Sequence, residues 1–437
     1  MNEVPLKNKW IRLPLPAKAI YLFVAFITLI ITCPSTLRAA DKAFTSIPML
    51  TIGISTRQEK VKIWGTKGFR VKDPVADSNL FARKKATPLI ISVHMKGFMI
   101  DGFGVKSRVL IEPLKDSLLY IDGKAYRGSF MVEEDRFGKI TVINIIDVEK
   151  YLYGVIKSEM LISSPMEALK AQAVIARTFA IKHKDKFVES RGYGLTDDTS
   201  SQVYTGVAGE DPRGTKAVDD TKGLCLTYGG ALIQCYYHAC CGGWTINNED
   251  AWGGGALPYL RSRKCGYCAD SHSFQWDLKL PYTTIIENLL EAGNSLGRIE
   301  SIKAIRDKES GRALVLIIEN EKGQLRILGN MFRLAVGPSI VKSSFFDIEE
   351  SQHNGMPQLA SSEISDNSQQ GELKMEEMIG NYLNAINTPG ELKIHGSGSG
   401  HGVGLCQSGA RGQAELHKSF REILEFYYKN TKVKDFY

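Results

Sequence analysis

The stretch Asp147–Lys182, DVEKYLYGVIKSEMLISSPMEALKAQAVIARTFAIK, constrains the fold more than any other part of the 437-residue chain. Its second half places Ala168, Leu169, Ala171, Ala173, Val174, Ala176, Ala180 and Ile181 at helical spacing. Side chains that small let a helix approach its neighbours closely. A helix from Met166 to about His183 is therefore expected inside the molecule rather than on its surface. Ser163-Ser164-Pro165 supplies a start signal, since Ser can cap free amides and Pro needs no partner for its own. Just upstream, Glu159 lies in a turn-like run, Lys157-Ser158-Glu159-Met160, beside apolar Val155, Met160 and Leu161. Partial desolvation there would raise its pKa and let it hold a proton near neutral pH, as a general acid must. A solvated turn glutamate is the plainer alternative.

The chain before this stretch reads as β-rich. Residues 41–147 carry short apolar runs such as Ile52-Gly53-Ile54, Val61-Lys62-Ile63 and Leu89-Ile90-Ile91 between turn residues. Gly128–Val132 and Ile140–Asn144 flank a charged turn at Glu133–Lys139, the pattern of a hairpin. Downstream, Cys225–Tyr228 and Ala231–Tyr237 flank Gly229-Gly230, a strong two-residue hairpin signal. A helix at Ile285–Leu296 alternates with strands near Ile302–Ile305 and Ala313–Ile318. The expected class is α+β: a β-rich N-terminal region, then a region with a central buried helix and antiparallel strands.

Residues 1–40 read as an export signal, with Lys7, Lys9, Arg12 and Lys18 ahead of the apolar run Ala19–Thr32. That run is shorter than the ~20 residues of a comfortable membrane span, although an uncleaved anchor stays open. Cys33 raises a lipoprotein site, but Thr32 precedes it where a smaller residue is expected. Localisation is thus expected at the cell envelope, in the periplasm or on the outer face of the inner membrane. A net charge of +7 suits anionic polymers or membranes, while the lack of a Lys/Arg block with interleaved aromatics argues against nucleic acid. From Glu349 to Leu373, Ser, Gln, Asn and Glu dominate and aromatics are missing, the composition of a surface insertion. Met375–Asn387 can form a short amphipathic helix.

Three further motifs bear on chemistry. In Asp198-Thr199-Ser200-Ser201-Gln202-Val203-Tyr204-Thr205-Gly206, Gln202 and Tyr204 sit at i and i+2, on one face of an extended strand. An amide and a phenol on one face suit a sugar; a Tyr in the core is the alternative. His395–Ala410, HGSGSGHGVGLCQSGA, has glycines close enough together for backbone to approach a ligand, and it lacks the spacing and Lys-Ser/Thr of a phosphate loop. Ser408 onward, with Ala410, Ala414, Leu416 and Phe420, is expected to open a terminal helix packed beside the central one. Cys265-x-x-Cys268 with Cys241 upstream offers three thiolates at zinc-knuckle spacing, with His238, Cys240 or His272 as a fourth ligand. Disulfides in an oxidising compartment are equally open. Loss of Cys33 with a leader would leave seven cysteines, an odd number that intrachain disulfides cannot all absorb.

GVIKSEM…EALKAQAVIARTFA, SSQVYTG, YYHACCGG and GHGVGLCQSGARG, in that order from about Ile52 to the C-terminus, resemble the stage II sporulation protein D (SpoIID/LytB) family. The resemblance implies a peptidoglycan lytic transglycosylase with Glu159 as catalytic acid. It implies that Gln202, Tyr204, His401 and Gln407 hold substrate, and Arg177 can orient Glu159 or bind a substrate carboxylate, a structural ion pair being the other reading. It implies glycan strands as substrate, an N-acetylmuramoyl-L-alanine amidase as partner, and no cofactor needed for catalysis; Cys241, Cys265 and Cys268 would then be a structural staple, as zinc or disulfides. Domains follow as residues 1–40, 41–147, a catalytic core over 148–348, the insertion 349–374 and the rest of the core over 375–437. One branch of the family binds zinc through His and Cys immediately before Q-V-Y; here those positions are Ser200 and Ser201, so that site is not expected.

Overall fold

The computed structural model describes residues 46–84, 87–95, 97–349 and 390–437. The leader or anchor read in residues 1–40, and the insertion and short helix read across 350–389, lie outside the described residues. The architecture is α+β, as the sequence implied, and the chain divides into two compact units. One comprises Ala39–Tyr236, Gln413–Phe426 and Asn430–Tyr437; the other takes in Tyr237–Gly412 and Tyr427–Lys429.

The first unit opens with twelve strands. They are β1 (Met49–Gln58), β2 (Lys60–Gly65), β3 (Phe69–Asp73), β4 (Ser78–Arg83), β5 (Leu89–His94) and β6 (Gly97–Ile100), then β7 (Phe103–Lys106), β8 (Arg108–Pro113), β9 (Leu119–Ile121), β10 (Lys124–Tyr126), β11 (Ser129–Glu134) and β12 (Ile140–Asp147). With β13 (Leu195–Thr196) they form a seven-stranded sheet, β13-β1-β12-β11-β8-β3-β4, and a six-stranded one, β10-β9-β2-β5-β6-β7. Burial alternates along β2, whose Val61 and Ile63 face inward while Lys60 and Lys62 face water, as a half-buried strand requires. β11 and β12 make the expected hairpin, in register from Ser129↔Ile145 to Glu134↔Ile140. Asp135 closes its turn by accepting from the N–H groups of Phe137 and Lys139.

β12 runs directly into helix α1 (Val148–Tyr153), because Asp147 caps it by accepting from Lys150 N at 3.0 Å. A four-residue helix, α2 (Ile156–Glu159), carries the acid, and α3 (Met166–Lys182) follows. Twelve of the seventeen α3 residues are buried, so the helix is internal. Its start differs from the expectation: Pro165 is the cap residue and makes no side-chain capping bond, while the Pro165 carbonyl accepts from Ala168 and Leu169. The carbonyl of Ser164 instead accepts from Arg213.

Gly229 and Gly230, both at positive φ, join Leu224–Tyr228 to Ala231–Leu232 in the expected hairpin, though the second strand is much shorter than read. The single terminal helix expected from Ser408 onward is two helices, Gln407–Glu415 and Phe420–Tyr427, broken where His417 adopts φ +59°. Phe420 N donates to Glu167 in the first turn of α3.

The second unit is built on a three-stranded antiparallel sheet, Ile299–Arg306, Ala313–Asn320 and Gly323–Leu328, with helices Tyr282–Glu291 and Gly329–Val336 packed on it. A second antiparallel sheet orders Gln275–Pro281, Glu391–Ser397 and Phe346–Glu349. Glu349, read as the start of the insertion, is the last residue of a strand.

Candidate active site

Glu159 stands at the end of α2, partly exposed, between buried Met160 and the solvent-facing Lys157 and Ser158. Of its three apolar neighbours in sequence, Val155 and Met160 are buried, whereas Leu161 is 61% exposed and shields nothing. The carboxylate is fixed by the backbone: Oε1 accepts from Val203 N at 2.7 Å. That bond ties the S-E-M run to the Q-V-Y run, two motifs far apart in sequence. The acid is thus anchored to backbone while the residue stays partly exposed.

The residues around this junction are interior. Gln202 is 1% exposed and its Oε1 accepts from the Tyr151 hydroxyl at 3.3 Å. Tyr204 is 2% exposed; its hydroxyl donates to Asn144 Oδ1 at 2.9 Å, and Asn144 in turn donates to the carbonyls of Arg127 and Ser129. Burial pushes both phenols up, so Tyr151 and Tyr204 stay protonated at any working pH; the nearby Glu159 charge adds to the effect on Tyr151. The Q-V-Y segment belongs to no sheet among the described residues, and both side chains point inward without the strand geometry used to relate them.

Arg177 has no exposed surface. Its Nε and Nη2 clasp Glu149, with Nη2 to Oε2 at 2.6 Å, and its remaining donors go to the carbonyls of Val218 and Leu224 and the Thr221 hydroxyl. Glu149 also accepts from Gly223 N and from the Tyr437 hydroxyl. Of the two readings of Arg177, the ion pair is the one this geometry carries. Gln202, Tyr204 and Arg177 are thus interior residues, whereas Glu159 is partly exposed.

Two acids flank the Q-V-Y run. Asp198 is exposed, and although desolvation opposes it, hydrogen bonds from Ser200 N and the Thr196 hydroxyl hold its pKa below the ordinary value. Asp197 behaves oppositely: half-buried, it is raised, chiefly by desolvation. Of the two, the carboxyl whose surroundings favour a proton is Asp197. Ser201 accepts from Thr196 N, closing the same turn.

His401 and Gln407 belong to the other unit. His401 lies in the glycine loop, 5.1 Å from Trp252 and 5.4 Å from His238 between ring centroids. Its Nδ1 accepts from Val403 N at 3.1 Å, which places the ring proton on Nε2, and a backbone hydrogen bond to Tyr237 holds the ring further. Desolvation, with His238 and Arg333 alongside, holds its pKa well below the usual histidine value. Burial and Arg312 bring His238 down to about 4. Both imidazoles are neutral at pH 7. Gln407 is half-buried at the first position of its helix. Gly402 passes at φ +80° so close to Arg312 that a Cβ would sit 2.8 Å from the guanidinium carbon, which explains glycine in that position. Neither His238 nor Trp252 was singled out as a partner of His401 in sequence; the Y-H-x-x-C-G-G block was the available signal for His238.

The cysteines gather in the same unit. The Sγ atoms of Cys241, Cys265, Cys268 and Cys406 all lie within 4.8 Å of one another and all four residues are buried. None of the seven described cysteines is in a disulfide. Cys406 takes the fourth place, for which His238, Cys240 and His272 were the sequence candidates. His238 Nδ1 is on the Val403 carbonyl, the Cys240 thiol turns to the Cys268 carbonyl, and His272 is exposed.

The sequence is similar to known proteins over the segments that carry these motifs. The profile of the family described as Stage II sporulation protein, SpoIID, matches residues 136–228, the span from the β11–β12 turn through Glu159, α3 and Q-V-Y to the Gly-Gly hairpin. An uncharacterized protein of Brachyspira hyodysenteriae is 31% identical over 82% of this chain and 86% of its own. The amidase enhancer of Bacillus subtilis is 28% identical over 65% of this chain and 40% of its own length, and stage II sporulation protein D of the same organism is 28% identical over 66% and 75%. With the motif order and these relatives in agreement, the chain belongs to the SpoIID family.

Proposed function

We propose that this protein is an exported lytic transglycosylase of the cell envelope. It would cleave the β-1,4 bond between N-acetylmuramic acid and N-acetylglucosamine in glycan strands freed of stem peptides. The single observation that carries the proposal is the partly exposed Glu159 carboxylate held by Val203 N at 2.7 Å, an acid that a backbone amide of the Q-V-Y run positions. Glu159 donates its proton to the glycosidic oxygen as the bond from muramoyl C1 breaks. The resulting carboxylate then takes the proton of the muramoyl C6 hydroxyl, whose oxygen closes on C1 to give a 1,6-anhydro ring. No water is added, so the second carboxylate of an ordinary glycosidase has no task. Tyr151, Gln202 and Tyr204, all buried, act as positioning residues.

Incubating the purified full-length protein with peptide-free glycan strands, beside Glu159→Gln, tests this by mass spectrometry. New 1,6-anhydromuramoyl ends that disappear in the variant support it. Reducing ends would mean hydrolysis, with Asp197 rather than Asp198 the carboxyl to replace next. The relative named amidase enhancer favours a second reading, a wall-binding protein that stimulates an amidase without cutting glycan. In that case neither protein would cleave, and Glu159→Gln would stimulate an added amidase as well as wild type.

A further inference from the structure

The geometry points to a zinc ion held by the thiolates of Cys241, Cys265, Cys268 and Cys406, fastening the end of the His401 loop to two other segments of its unit. In a tetrahedral site with Zn–S near 2.3 Å, neighbouring sulfurs stand about 3.8 Å apart. Here Cys241 and Cys268 Sγ are 3.5 Å apart and no pair among the four exceeds 4.8 Å, a cage of the right size around one ion. Four sulfur ligands with no oxygen or imidazole select zinc over hard cations, and a fully occupied tetrahedron makes the site structural rather than catalytic.

Three observations independent of the spacing bear on it. The first is the set of donors aimed at the sulfurs. Cys406 Sγ accepts from Cys241 N and from Gly409 N, each at 3.2 Å, and the buried Tyr427 hydroxyl lies 3.2 Å from Cys265 Sγ. Such bonds stabilise thiolates, and outer-shell donors of this kind tune metal sites. The second is space. A Cβ on Gly409 would fall 2.1 Å from the Tyr427 oxygen and 2.8 Å from Cys265 Sγ, so the helix meets the cluster only because that position has no side chain.

The third is charge. Arg312 is fully buried and pairs with no carboxylate among the described residues; its donors reach the carbonyls of Cys241 and Trp244 and the Ser344 hydroxyl. A guanidinium stripped of water and lacking an anion is costly. One zinc with four thiolates carries a charge of 2−, and Arg312, hydrogen-bonded to the carbonyl of one ligand residue, faces it. Adjacent Cys240 lies beside the cluster with its thiol toward the Cys268 carbonyl, but it is outside the set of four sulfurs that are mutually within 4.8 Å, which makes Cys406 the fourth ligand.

Elemental analysis of the full-length protein purified without chelator should give one zinc per chain. Titration with a mercurial reagent beside a chromogenic chelator should release that zinc as four thiols are consumed. Cobalt substitution should give the intense visible bands of a tetrahedral thiolate site. Cys406→Ser should lose the ion, whereas Cys240→Ser and Cys225→Ser keep it, and Tyr427→Phe should weaken binding roughly 10–100-fold. Should Cys406→Ser fail to fold, the mercurial titration of the unaltered protein and the Cys240→Ser stoichiometry still decide. Metal-free protein, stoichiometric iron, zinc lost from Cys240→Ser, or a disulfide between any two of the four cysteines would each overturn the assignment.

Discussion

Arg177 and Arg312 have no solvent-exposed side-chain surface, yet only Arg177 meets a carboxylate. In the unit that carries Glu159, the charge of Arg177 is closed locally by Glu149, itself held by Gly223 N and Tyr437. In the unit that carries His401, Arg312 faces carbonyls and a group of sulfurs. The first region closes its charge within the polypeptide; in the second, on the zinc assignment proposed above, a thiolate-bound ion supplies the closing charge. A buried charge with no visible partner is therefore a pointer to what the polypeptide must bind.

The strongest way to break this comparison is to unpair Arg177. Glu149→Gln leaves a guanidinium buried without its anion and should cost about 3–5 kcal/mol, read as a fall in the urea midpoint at constant slope. Arg177→Met combined with Glu149→Leu should recover most of that loss. Arg312→Met should behave differently, costing more in the metal-loaded protein than after the metal has been stripped. Equal cost in both states would erase the distinction between the two arginines.

Acid sharpens it next. His238 is buried and neutral, with its pKa brought from 6.5 to about 4. Above pH 6.5 neither folded nor unfolded protein binds the proton. As pH falls from there toward 4 only the unfolded chain does, so stability declines across that window and levels off below it. The loss amounts to about 3 kcal/mol, and His238→Leu should remove it when metal-stripped protein is unfolded in urea at pH 7.5 and at pH 4. A smaller effect follows from Tyr204→Phe, which leaves Asn144 Oδ1 without its donor and should cost ~1–2 kcal/mol by the same assay. The least is electrostatic and exposed: His395 sits between Glu349 and Asp277, which raise its pKa. Its NMR titration midpoint should lie above the usual histidine value and fall back in Glu349→Gln.

What could be read from sequence was local. The spacing of small residues in α3, the Gly229-Gly230 turn and the charged turn before Ile140 all depend on neighbours within a few positions, and each formed. The break at His417 was missed because nothing in Ala414–Phe420 but one backbone dihedral marks it. Glu159 was found through motif resemblance, whereas its bond to Val203 joins segments that only tertiary folding brings together. Tyr204 was read as one face of a strand, and without a pairing partner the period-2 rule had nothing to act on. Cys406 was counted but not assigned, because ligand spacing rules work within short loops and this ligand arrives from far downstream. Arg312 carried no sequence signal at all.

The neighbouring strands Phe346–Glu349 and Glu391–Ser397 run antiparallel, in register from Phe346↔Gly396 to Glu349↔Lys393, with Lys393 and His395 both paired to Glu349. The chain thus departs and returns at one place, where side-chain pairs already clamp the exit. Lengthening a connection between fixed ends costs only about 0.6 kcal/mol per doubling. The register of the two strands therefore fixes where any connection between Glu349 and Gly390 must begin and end, whatever its length, so the junction rather than the connection sets the pairing.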